Sequence, residues 1–180
     1  MDDLTEEIIE STSLYEGKII NLKINKIRLP DGKKASREIV ENDDAVAVIP
    51  YQDEKIILIN QYRSAIQEKL TEIPAGKIDI NETPIAAARR ELEEETGYKA
   101  GNFKKIGDFY TSPGFSTEKI HLFLATDLTY YSQNQDAEEF IEVEKLTINQ
   151  VEDFVRKNKF KDLKTFIASY YLLKYLEGNS

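Results

Sequence analysis

"GKIDINETPIAAARRELEEETGY", residues 76–98, is the stretch on which the reading of this chain turns. Thr83 followed by Pro84 is a helix start: a capping side chain, then a proline where no N–H partner is needed. Gly97 is a stop. At about 100° per residue, Ile85, Ala88 and Leu92 fall within about 60° of one another and are expected to form the buried stripe. Glu91, Glu94 and Glu95 occupy a neighbouring arc of about 100°, at offsets of three and four, so their carboxylates gather along one border of the core. Like charges so placed repel, and the segment is either a solvated acidic face or a seat for a cation.

On the N-terminal side, residues 19–62 read as strands separated by turn signals. "IINLKINKIRL" alternates, "PDG" at residues 30–32 is a strong turn, "ASREIV" resumes, "AVAVIPY" is a buried type of run, and "KIILINQY" follows the polar turn "QDE". Beyond Gly97, strands are expected near 102–110, 119–126 and 139–146, a polar loop over 130–140, and helices near 148–157 and 163–176. Strands and helices mix without the regular alternation of a parallel sheet, which gives an α+β sandwich with a mixed sheet.

The 180 residues suffice for one domain with a real core and an appendage. No run approaches the roughly 18 apolar residues of a membrane span, and the acidic opening "MDDLTEEIIE" has no basic region followed by an apolar stretch. A cytoplasmic setting is the expectation, with no membrane partner. The chain has no cysteine and one histidine, His121, which excludes a thiolate site, a cysteine nucleophile and an imidazole-rich zinc site. Any metal must be held by oxygen, which favours Mg²⁺ or Mn²⁺. The net charge of −9, without a basic block, argues against nucleic acid as partner. A phosphate ester would need a cation and a few placed arginines to bind to so acidic a chain.

Gly76, Glu82, Arg90-Glu91-Leu92, Glu94-Glu95, Gly97 and apolar Tyr98 fill every fixed position of the pattern G-x5-E-x7-R-E-U-x-E-E-x-G-U. In this the sequence resembles the Nudix hydrolases, metal-dependent enzymes that cut the bond between linked phosphates in nucleoside diphosphate derivatives. The likeness extends to "REIVENDDAVAVIP", "INQYR", "EIPAGKI" and "YTSPGFSTE", which are similar to segments of the ADP-ribose pyrophosphatase branch. In that branch a proline lies sixteen residues beyond the last glycine of the box, where this chain has Pro113.

The resemblance implies a Nudix-type α/β/α sandwich and Mg²⁺-dependent hydrolysis of ADP-ribose to AMP and ribose 5-phosphate, with Mn²⁺ an alternative ion. Carried over by position, Glu91, Glu95 and the backbone carbonyl of Ala75 are metal ligands, Glu94 is their neighbour, and Arg90 orients the glutamates. A later loop supplies Glu139 as a further ligand. The position of the branch's catalytic base is Ala137 here, so Glu138 or Asp136 covers the role, or the metals activate water without a dedicated carboxylate. Arg37 and Arg63 match arginines that bind the diphosphate, Arg37 reaching from the partner subunit, and Pro113, Gly114 and Glu118 belong to the substrate loop, Glu118 facing the terminal ribose. Residues 1–43 are expected to form an antiparallel strand segment exchanged in a homodimer, and 44–180 the hydrolase domain. Two rivals accompany this reading: hydrolysis of another nucleoside diphosphate derivative, and a sensor that binds a nucleotide without cutting it.

Overall fold

The computed structural model describes residues 4–133 and 140–178, and its chain divides into two compact units. The first comprises the residues up to Asp44 together with 109–120. In it β1 (Glu7–Glu16), β2 (Asn21–Arg28) and β3 (Lys34–Glu41) form an antiparallel sheet in that order. The expected "PDG" turn joins β2 to β3, with Gly32 in the left-handed region at φ 84° and its N–H donating to the Leu29 carbonyl at 2.8 Å. The residues 109–120 attach to β3: Val40 N–H donates to the Phe115 carbonyl at 2.8 Å, and Thr117 N–H to the Val40 carbonyl at 3.0 Å. Sequence reading placed 109–120 with the following domain, and within the expected 1–43 strand segment it picked out strands only from residue 19, leaving out β1, whose charges and exposed apolar residues do not alternate as a half-buried strand does.

The second unit comprises 45–108 and 121–180. Its elements are β4 (Ala45–Gln52), β5 (Lys55–Arg63), β6 (Glu68–Glu72), β7 (Ala75–Lys77), α1 (Pro84–Thr96), β8 (Tyr98–Tyr110), β9 (Lys119–Tyr130), β10 (Ile141–Thr147), α2 (Ile148–Arg156) and α3 (Leu163–Glu177). The division between the units falls within β8 and β9. The seven-stranded mixed sheet runs β10-β5-β4-β9-β8, with β6 beside β5 and β7 beside β4. Residues 46–50 of β4 and 56–59 of β5 are buried without alternation, because both sheet faces are covered.

One detail of this sheet positions everything that follows. β4 and β5 pair only beside their hairpin, at Tyr51 with Ile56 and Gln52 with Lys55. Nearer its start, β4 pairs instead with β7, Val46 opposite Gly76 and Ala47 opposite Ala75, and Val48 N–H donates to the Pro74 carbonyl at 2.9 Å. The two central strands part and the segment leading into α1 fills the opening.

Helix α1 starts and stops where its sequence signals lie. The Thr83 side chain accepts from Ala86 N–H, Pro84 is the first residue, and Gly97 closes the helix at φ 77° with its N–H on the Glu93 carbonyl. Ala87, Ala88 and Leu92 pack on Val46, Val48, Ile57, Phe123 and Ala125. Ile85 departs from expectation: it is exposed, and Ala87 takes its place in the buried stripe. A first-turn residue lies at the rim of the sheet, and the small alanines behind it let α1 approach closely. β8 and β9 are longer than expected, α2 and α3 lie within one residue of expectation, and the polar loop was read over 130–140, of which 134–139 lie outside the described residues.

Candidate active site

Two acidic side chains of α1, Glu91 and Glu95, point back over β7 rather than into solvent, whereas Glu93 pairs with Lys99 on the outer side. Glu95 is 3% exposed, and its Oε2 accepts from the N–H of Ala75 at 2.9 Å. Glu91 is 9% exposed and lies against Gly76 so closely that a Cβ there would meet its Oε1 at 2.0 Å and its Cδ at 2.1 Å. Two buried carboxylates thus converge on two consecutive backbone residues, and only glycine leaves room for the second. The first glycine of the box owes its place to this close approach rather than to a turn.

Arg90 holds the cluster in order. Its Nε and Nη2 bind both oxygens of Glu82 at 3.1 and 2.9 Å, and its Nη2 also reaches the Lys77 carbonyl at 2.9 Å. Its Nη1 donates to Glu91 Oε1 at 2.6 Å and to Glu94 Oε2 at 3.1 Å. The planar fork is what allows one side chain to fix three carboxylates and a carbonyl. The hydrogen bonds to Glu82, then those to Glu91 and Glu94, strengthen the guanidinium's hold on its proton. In return Arg90 holds the Glu82 carboxyl below the usual carboxylate range. Glu82 is thereby a support for Arg90, which in turn orients Glu91.

The donor set suits a hard cation. Glu91 and Glu95 offer carboxylate oxygens over strand β7, at Ala75, whose carbonyl sequence reasoning marked, and at Gly76, and Glu94 adjoins them through Arg90. Among the described residues, no three His, Cys, Asp or Glu side chains are gathered closely enough to hold a metal unaided. A backbone carbonyl, a substrate phosphate or a further carboxylate must complete the set. Glu138 and Glu139, the carboxylates named for that purpose and for the base, lie outside the described residues, as do Asp136 and Ala137.

Arg63 lies at the end of β5, where its Nε and Nη2 bind both oxygens of Glu72 at 2.7 and 2.8 Å. The Glu72 carboxylate is 1% exposed and also receives Lys164 of α3. Burial pushes the Glu72 carboxyl up, but the bonds and charges of Arg63 and Lys164 outweigh it and hold it below the usual range. The bond to Glu72 raises the Arg63 guanidinium, and the charge of Glu95 adds to the effect. Arg63 therefore feels the carboxylate cluster directly. Sequence reasoning missed Glu72 and Lys164. Glu72 sits in "EIPAG", whose likeness to the branch was noticed without a role for its acid. Lys164, 92 residues away, gave no signal.

The remaining candidates belong to the first unit. Arg37 forms a two-bonded pair with Glu6, its Nε donating at 3.1 Å. Thr111 Oγ1 donates to Glu118 Oε2 at 2.7 Å, and Pro113 and Gly114 form the turn between them, where Gly114 has open space around it. His121, in the second unit, is a buried strand residue whose Nδ1 lies 2.6 Å from Asp108 Oδ1.

Comparison with known proteins bears on this arrangement. The NUDIX domain model matches residues 41–170. The chain is 42% identical over 175 residues to the ADP-ribose pyrophosphatase of Bacillus subtilis (strain 168), spanning 96% of this chain and 95% of that protein. It is 38% identical over 170 residues to the methanol dehydrogenase activator of Bacillus methanolicus, spanning 93% of this chain and 92% of that one. Among solved structures, one described as an ADP compounds hydrolase superposes with a TM-score of 0.90 at 21% identity, covering 100% of this chain and 99% of that one, a likeness of fold.

Proposed function

The chain belongs to the NUDIX domain family, and from that premise we propose that it hydrolyses the diphosphate linkage of ADP-ribose to AMP and ribose 5-phosphate with a divalent cation, Mg²⁺ or Mn²⁺. One observation carries the catalytic part: the buried carboxylates of Glu91 and Glu95 converge on Ala75 and Gly76, held there by Arg90 and by the absence of a Cβ. The choice of ADP-ribose is supported by full-length similarity to an ADP-ribose pyrophosphatase and by Pro113 at its branch spacing.

In this reading Glu91, Glu95, the Ala75 carbonyl and Glu139 would hold the cation, with Glu94 beside them. When bound, the ion acidifies water and takes up charge on the phosphoryl oxygens. Arg90 keeps Glu91 in one orientation throughout, so little reorganisation accompanies the reaction. Arg63 binds the diphosphate, with Arg37 reaching in from the partner subunit, and Glu118, with the turn at Pro113 and Gly114, faces the terminal ribose. A water oxygen would join one phosphorus and the bridging P–O bond would break to release the other phosphate, the water's proton passing to Glu138 or Asp136, or to solvent where no dedicated carboxylate acts. The reaction is set in the cytoplasm, in a homodimer formed through residues 1–43. Every residue of β1 is exposed, Ile8 and Leu14 to 61% and 55%, and a second copy would cover such a surface.

The test is incubation with ADP-ribose and Mg²⁺ beside a chelator control, followed by separation of products. AMP and ribose 5-phosphate should form only with metal, and the Glu95→Gln variant should lose turnover by several kcal/mol of transition-state stabilisation. Full turnover by that variant sinks the metal assignment. Preferential turnover of another nucleoside diphosphate sugar moves the substrate and keeps the chemistry. A second reading, in which the chain activates another enzyme, is favoured by its similarity to the methanol dehydrogenase activator. Nucleotide binding without cleavage would turn attention to it.

A further inference from the structure

The backbone from Ile73 to Ala75 is tied down at every residue. Ile73 N–H donates to Thr165 Oγ1 at 2.9 Å, the Pro74 carbonyl accepts from Val48 at 2.9 Å, Ala75 N–H donates to Glu95, and Gly76 lies under Glu91. At its head, the first turn of α3 closes a ring. Lys164 Nζ bridges Glu72 and Asp162 Oδ1, the latter at 3.0 Å, and the other oxygen of Asp162 accepts from Thr165 N–H at 2.9 Å and from its hydroxyl. That hydroxyl returns the ring to Ile73.

Glu72 does not need Lys164 for its own satisfaction, because the fork of Arg63 already engages both its oxygens. A second cation on the same carboxylate does something else. It shares the charge of Glu72, so Arg63 is fixed in direction without being neutralised. The fork uses Nε and Nη2 and leaves the hydrogens of Nη1 outside it, on a side chain 38% exposed. Lys164 itself is only 16% exposed and is held from two sides, which suits a strut better than a ligand.

We propose that Lys164 is a positioning residue that, by gripping Glu72, aims Arg63 at an anionic substrate and keeps that arginine available to it. The inference rests on the reading of Arg63 as a diphosphate-binding group. It predicts a defect in binding rather than in chemistry, since Arg63 grips the ground state and the transition state alike.

The experiment measures kcat and KM for ADP-ribose with Mg²⁺, and the affinity for ADP by calorimetry, in wild type, Lys164→Met, Lys164→Arg, Arg63→Met and the double variant. Lys164→Met should raise KM and the Kd for ADP about tenfold with kcat within about twofold, and Lys164→Arg should restore both. In the Arg63→Met background, Lys164→Met should add nothing, because the residue acts through Arg63. An unchanged KM, or the same loss with Arg63 already absent, overturns the proposal. Thermal unfolding of each variant separates loss of fold, and Lys164→Gln, which keeps a donor, replaces the Met variant if that one does not fold. Absence of wild-type turnover would count against the proposed function alone; the ADP affinities would still decide the role of Lys164.

Discussion

At the scale of single residues, Gly76 and Arg90 are the positions where small changes should matter most. A methyl group at residue 76 has to displace the Glu91 carboxylate, whose atoms lie 2.0–2.4 Å from where it would sit. Gly76→Ala should therefore cost about 100-fold in turnover, the scale of effect expected when a reacting group is misplaced by about an ångström, while circular dichroism stays that of the wild type. Removing Arg90 leaves Glu82, Glu91 and Glu94 without their shared counter-charge, and all four side chains are at most one-third exposed. We expect Arg90→Met to lose about 3 kcal/mol of stability by chemical denaturation. Added Mg²⁺ should recover more of the melting temperature in that variant than in wild type, since a cation then relieves the repulsion that Arg90 relieved. The pattern of charges left a solvated face and a cation seat both open, and the family resemblance favoured the seat, with Arg90 orienting its glutamates. That the same arginine also reaches Glu82 and the Lys77 carbonyl was not legible, because offsets along a helix say which groups are neighbours and not which way a long side chain folds back.

At the scale of elements, α1 has its course set at both ends. Thr83→Ala removes an N-cap and should cost about 1 kcal/mol. Gly97→Ala should cost at least as much, for two reasons: the residue adopts φ 77°, and its Cβ would meet the Tyr130 ring at 2.8 Å and the backbone of Gln133 at 2.9 Å. Both are read by thermal unfolding. These termini were legible in the sequence because capping is local, a matter of residues within one turn. The seat beneath the helix was not. That β4 abandons β5 for β7, and so brings Ala75 and Gly76 under Glu95 and Glu91, depends on pairings between segments about thirty residues apart, and short apolar runs carry no record of their partners.

At the scale of the whole molecule, the acidic balance has a consequence for pH. Glu72 and Glu82 are both held below the ordinary glutamate value of 4.5 in the folded chain. Each stabilises fully above that value and loses its contribution as the pH falls through its lowered one. Thermal unfolding between pH 7 and pH 3 should show stability holding to near the ordinary value and then dropping. Sedimentation tests the proposed homodimer, which would have twice the 20.7 kDa of the chain and which Leu14→Lys in β1, at a position 55% exposed, should weaken. The three helices of the described residues and most strands, β1 excepted, could be read from turn signals and apolar runs, and the carboxylates of the box from helical spacing and the family pattern. Residues 109–120 joining the N-terminal strands, and Lys164 meeting Glu72, could not, since each depends on contacts across some 70–90 positions.

The bond from Ala75 N–H to Glu95 has a spectroscopic consequence. Most amides in a sheet give their hydrogen to another backbone group, whose acceptor strength does not change while the protein works. This one gives it to a carboxylate that the proposed reaction needs elsewhere. Whenever Glu95 turns its charge to a cation, the amide proton of Ala75 should shift in a nitrogen–proton correlation spectrum, so a backbone signal far from any titrating side chain of its own would report the occupancy of the site.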